Sequence, residues 1–177
     1  DLVRSRGLGD VYKRQALQPV SLDSRIAAAE ASTRLCPLDA MYALRYGTLL
    51  AERFVNVDAY GANVDGTLAN VESVLRRSIR MHPSDQFNYY AIAEVYTAAM
   101  VSVGPTTREK ALAVLKDSKR ADVLGFPGHL LAVELALAGD DKALAQSELD
   151  AVTLTLGQNA QTRELQARID AFAPAAP

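Results

Sequence analysis

The sequence predicts an all-α chain, an α-solenoid of antiparallel helix pairs with about 7–8 helices. Three observations predict it. Apolar residues recur at helical spacing through most of the chain from Leu22 to Phe172. Prolines and glycines fall mostly between those periodic runs, where they punctuate helices. Alanine and leucine dominate and Trp is absent, a composition that favours helix.

The clearest stretch is Val71–Tyr96, VESVLRRSIRMHPSDQFNYYAIAEVY. Val71, Val74, Leu75, Ser78, Ile79 and Met81 form one stripe, with Arg76, Arg77 and Arg80 opposite. Pro83 cannot continue a helix, and it pushes His82 out of helical geometry. Ser84 or Asp85 can cap the next helix by accepting free N–H groups. Tyr89, Ile92, Ala93 and Tyr96 then repeat at helical spacing. Two helices joined by so short a turn pack antiparallel, each covering the other's stripe.

This stretch resembles the tetratricopeptide repeat, whose pattern is W-x2-L-G-x2-Y, then A-x3-F, then Pro. Tyr89 stands at the Trp position, Ile92 at Leu, Ala93 at Gly and Tyr96 at Tyr. Val71 stands at the Ala, Leu75 at the Phe, Ser78 at a second small position and Pro83 at the proline. Order and spacing match, while several residue types are only relatives. The resemblance implies that Leu75 packs between helix pairs, and that Tyr89 and Tyr96 are core.

Along the chain, Asp1–Gln15 is set aside as a non-native segment. Within it, Ser5–Gln15 resembles the translation of a transposase-type sequencing adapter, which implies that the natural N-terminus is missing. Gly7-Leu8-Gly9 lacks the strand and the third glycine of a phosphate loop. The repeat domain covers 16–172, enough chain for one core. Leu22–Leu35 is the first helix; its Arg25, Ile26, Ala28, Ala29, Ser32, Leu35 and Pro37 align with the run from Val71 to Pro83. A helix from Ala40 to Arg53 follows. Asn56–Gly66 has no helical periodicity and is expected to be an exposed inserted loop, replaceable at little cost.

Helices are expected from Thr67 to Met81 and from Ser84 to Val101. Thr106-Thr107-Arg108-Glu109 reads as a capping box opening the next, in which Ala111, Leu115 and Ser118 repeat the spacing of Val71, Leu75 and Ser78. Gly125-Phe126-Pro127 leads into a helix over Gly128–Ala138. Gly139 is expected as a C-cap glycine and Asp141 as an N-cap. A helix to Leu156 ends at Gly157, and Asn159 caps a last one reaching Phe172. Residues 173–177 read as a disordered tail.

Chemistry is sparse. His82 and His129 are the two histidines, read as a turn residue and a helix-start residue with no acidic cluster at ligand spacing. No metal and no cofactor is expected. The single Cys36 rules out an internal disulfide and has no evident base to make it a nucleophile. Asp140-Asp141 is explained by capping better than by paired carboxylates. Arg76, Arg77 and Arg80 read as a solvated face, with an acidic partner or lipid head groups as the alternative. The chain has 19 Lys+Arg and 21 Asp+Glu; setting aside four basic and two acidic residues of 1–15 leaves 15 against 19, net −4. That balance argues against nucleic acid as the partner. No run reaches the roughly 18 apolar residues of a membrane span.

First helices line the concave groove in the tetratricopeptide family. By that resemblance Met41, Arg45, Thr48, Glu52, Phe87, Tyr90, Glu94 and Thr97 face the groove, where a protein or peptide would bind. Ordinary scaffold surface is the competing reading. The texture of degenerate repeats with Pro-x-Asp turns also resembles the soluble C-terminal tails of O-antigen ligase and polymerase family membrane proteins. That resemblance implies a non-catalytic interaction module on the extracytoplasmic side, its glycan-transfer chemistry residing in a missing membrane portion. A free-standing repeat adaptor, cytoplasmic or periplasmic, is the alternative, and a helical-toroid enzyme the third.

Overall fold

A computed structural model describes residues 21–121 and 124–171. The readings of Asp1–Gln15 and of the tail from 173 lie outside them. Among the described residues the chain is all-helical, with eight α-helices and no strand. They are α1 (Leu22–Leu35), α2 (Ala40–Asn56), α3 (Val64–Met81), α4 (Gln86–Ala99), α5 (Thr106–Arg120), α6 (Phe126–Leu137), α7 (Lys142–Leu156) and α8 (Ala160–Asp170). No described helix is long and apolar enough to cross a membrane.

Local chemistry sets most boundaries. Asp39, Asp85 and Asp141 stand before α2, α4 and α7, each accepting a hydrogen bond from an N–H of the first turn, at 2.9–3.0 Å. Those N–H groups have no partner inside the helix, so a short carboxylate there replaces water. Asn159 and Thr162 make a reciprocal capping box at α8, at 3.0 and 2.9 Å. Gly157, at φ 71, closes α7.

Consecutive helices pack on one another throughout, and α2 also packs on α4, and α4 on α6. The larger core cluster runs from α1 to α6 and is built on Phe54, Leu75, Ile92 and Tyr96, all essentially inaccessible. Leu75, Tyr89 and Tyr96 are buried as the spacing requires. A Cβ on Gly47 would lie 2.5 Å from Leu75 Cδ2, so α2 and α3 cross where α2 has no side chain. A second, smaller cluster joins Val133 and Ala136 of α6 to Ala145 and Leu149 of α7 and Leu165 and Ile169 of α8.

Three expectations need correction. Asn56–Gly66 is not simply an exposed loop. Asp58–Tyr60 forms a 3-10 turn, Val64 already belongs to α3, and Ala59 is fully buried while Tyr60 is out in solvent. The Ser102 hydroxyl donates to the Ala59 carbonyl, fastening the turn to the segment after α4. A small residue can plug a core without leaving a periodic trace in the sequence.

The capping box at Thr106 does not form. Pro105 holds the cap position with helical backbone, and Thr107 instead donates to the Gly104 carbonyl at 2.8 Å. Nor is Gly139 the left-handed residue after α6. Asp140 takes that conformation, at φ 60, and the Asp141 N–H reaches back to the Ala136 carbonyl at 2.9 Å. Gly139 is small for another reason: a Cβ there would stand 1.7 Å from the guanidinium carbon of Arg108.

Candidate functional site

The expected groove residues lie on two neighbouring helices. Met41, Arg45, Thr48 and Glu52 belong to α2, and Phe87, Tyr90, Glu94 and Thr97 to α4. Met41, Arg45, Glu52 and Phe87 are exposed, while Thr48, Tyr90, Glu94 and Thr97 are half-buried. The threonine hydroxyls turn back onto their own helices, Thr48 to the Arg45 carbonyl and Thr97 to the Ala93 carbonyl, at 3.1 and 2.7 Å. Glu52 accepts from both outer nitrogens of Arg25 on α1, each at 3.3 Å, so its charge is engaged.

Phe87 and Tyr90 come together. With Leu115, Ser118, Leu124 and Pro127 they line a largely apolar cavity of about 130 Å³ between the start of α4, the end of α5 and the start of α6. Tyr90 also borders a hollow of about 320 Å³ with Phe126, Leu130 and Glu134 of α6 and Leu165 of α8. The tyrosine thus stands between two concavities. Burial, with the Glu94 carboxylate beside it, pushes its hydroxyl up to about 12. It stays a neutral donor and acceptor over the whole physiological range.

A second polar group brings together three residues distant in sequence. Glu148, on α7, is almost wholly buried. One of its oxygens accepts from Lys119 Nζ of α5 at 3.1 Å, and the other lies 2.6 Å from Nδ1 of His129 on α6. His129 thus has one acidic partner, distant in sequence. His82 has Asp85 Oδ2 at 3.8 Å. With both oxygens of Glu148 occupied, the group works as a tie between α5, α6 and α7.

Sequence reading missed this tie although a signal existed. Ala111, Val114 and Leu115 on α5 are buried at the spacing repeated by Ala145, Glu148 and Leu149 on α7. A carboxylate where the earlier helix has valine demands partners, because burying an unpaired charge is costly. Asn88 was also missed: it is fully buried, and its amide finds no hydrogen-bond partner among the protein groups. Cys36 is exposed at the end of α1. Among the described residues no group of three or more His, Cys, Asp or Glu side chains could hold a metal ion. No protein-family model, curated protein or solved structure matches the chain.

Proposed function

We propose that the chain is a non-catalytic protein-interaction module, built as a short solenoid of tetratricopeptide-like helix pairs. The packing of α2 on α4 and of α4 on α6 supports the array, since first helices of successive pairs must lie side by side. One observation carries the binding role: Tyr90, half-buried, stands between two concavities on the α4–α6 side. Concave surface with a rigid aromatic at its centre is what a peptide needs to gain affinity from few contacts.

A random peptide library displayed against the full chain tests this. Peptides should be enriched, and the enrichment should fall away on Tyr90→Ala. Equal recovery on both proteins would remove this face from consideration. The resemblance to O-antigen ligase tails would hang the module from a membrane portion, whereas the adaptor reading has it free. Genomic sequence upstream of Ala16 separates them: many membrane spans for the first, a signal peptide or further repeats for the second.

A further inference from the structure

We infer that the cavity between α4, α5 and α6 receives one aromatic side chain of a bound peptide, with a basic residue next to it. This rests on the interaction reading above and names the chemistry of its partner. The volume, about 130 Å³, is close to the roughly 150 Å³ of an apolar cavity that holds benzene. Two of its walls are the rings of Phe87 and Tyr90, which can meet an entering ring edge to face.

The mouth favours a side chain entering from a chain that stays outside. Phe87 is 61% exposed at the rim. Phe87 and Leu124 also border an outer hollow of about 580 Å³ that carries the polar groups of His82, Ser84 and Asp85. A peptide backbone has hydrogen-bonding partners there while its ring enters the apolar part. Two glycines keep the rim narrow. A Cβ on Gly125 would stand 1.9 Å from Gln86 Oε1, and one on Gly128 would stand 2.3 Å from Leu124 Cδ1.

Charge selects the flanking residue. Glu94 lies beside Tyr90 and makes no ion pair among the described residues. Glu134, the acid across the neighbouring hollow, is already held by both outer nitrogens of Arg168, at 2.6 and 2.7 Å. Asp85, at the outer hollow, already caps α4 and has His82 3.8 Å away, so Glu94 is the acid left to a ligand. Lysine or arginine next to the anchoring ring meets that charge; an acidic residue is repelled.

Two measurements on the full chain decide it. Benzene, used as a probe, should shift the methyl resonances of Leu115 and Leu124, and Ser118→Leu, which fills the cavity, should abolish the shift. Library-selected peptides should carry Phe or Tyr beside Lys or Arg, and Ser118→Leu should weaken them by at least about tenfold. Leu115→Phe is the second filling variant, and thermal melts establish that each variant is folded. Selected peptides without an aromatic residue, or peptides bound equally well by a folded filled variant, would overturn the inference and leave the interaction reading standing. A library that yields no peptide at all would end both, whether or not benzene enters.

Discussion

The helices α1–α5 and the helices α6–α8 are held together by different chemistry. In the first region the buried packing is mainly carbon: Phe54, Val71, Leu75, Ile92 and Tyr96 are essentially inaccessible, the ion pairs that cross between helices, Arg25–Glu52 and Arg53–Asp23, are largely solvated, and Ser102 and Arg77 each bond one backbone carbonyl. In the second region the apolar cluster is six residues, two of them alanine. Around it run directional bonds: Lys119–Glu148–His129, the two-point Arg168–Glu134 pair, the Gln146–Gln166 amide pair at 3.0 and 2.9 Å, and Arg108 on the Leu135 carbonyl at 2.7 Å. The difference teaches that one helical architecture can be specified two ways. Large apolar side chains stabilise through area, almost regardless of orientation. Small ones supply little area, so orientation comes from bonds that are strong only in one geometry.

The largest expected effect lies in the carbon-built region. Leu75 is fully buried and its side chain fills the space opposite Gly47, where α2 has no side chain of its own. Leu75→Ala removes that buried side chain and leaves a hole lined by its former neighbours, and should cost about 2–5 kcal/mol in urea unfolding. A cost below about 1 kcal/mol would mean the helices slide to fill it, and that carbon does not fix geometry even here.

The next effect tests the polar region. Glu148→Ala removes the acceptor shared by Lys119 and His129. The expected cost is about 1.5–3 kcal/mol, because charged hydrogen bonds are lost while the half-exposed lysine can return to water. The combined change Glu148→Val with His129→Tyr copies Val114 of α5 and Tyr89 of α4, both buried. Replacing a buried ion pair by packed apolar groups is often neutral or better, so this double variant should regain most of the loss. If it proves less stable than Glu148→Ala, the polar tie is not interchangeable with a carbon contact.

Legibility in the sequence follows the same division. The buried positions of Leu75, Tyr89 and Tyr96, and the caps at Asp85, Asp141 and Asn159, are local or periodic features, readable within one or two turns of helix. What stayed hidden depends on residues far apart in the chain. The partners of Glu148 sit 29 and 19 residues away, and Ala59 is fastened by a hydroxyl 43 residues away. Gly139 looked like a helix stop because nothing local reveals that Arg108 lies against it. In the candidate site, Phe87 and Tyr90 were named through the resemblance to the tetratricopeptide repeat. The cavity they share was not, since its other wall comes from α5 and the approach to α6.

A smaller effect separates tethers within the polar region. Arg108, half-buried, reaches from α5 to a last-turn carbonyl of α6, where a cation also meets the negative end of the helix. Arg108→Ala should cost about 1–2 kcal/mol in the same melts. Gly139→Ala should not add to it, since removal of the arginine frees the space a Cβ needs. Additive losses would show that Gly139 is required for a different reason.

The smallest effect belongs to Arg77, which is the same kind of tether placed in the carbon-built region. Its guanidinium donates to the Pro37 carbonyl at 2.7 Å, linking α3 to the turn between α1 and α2. The distance equals that of Arg108 on Leu135, so bond length predicts equal losses. Environment predicts otherwise. Arg77 is exposed, and both groups regain water when the bond breaks, whereas the Arg108 contact is partly shielded. Nearby, Leu75 and Val71 already fix α3 against its neighbours, so the tether has little geometry left to specify. Arg77→Ala should therefore stay within about 0.5 kcal/mol of the parent protein. Urea melts of the two arginine variants side by side measure the contrast directly. Equal losses would mean that α1–α5 depend on directional bonds as much as α6–α8 do. A larger loss at Arg77 than at Leu75 would mean the buried stripe of α3 has been assigned to the wrong face.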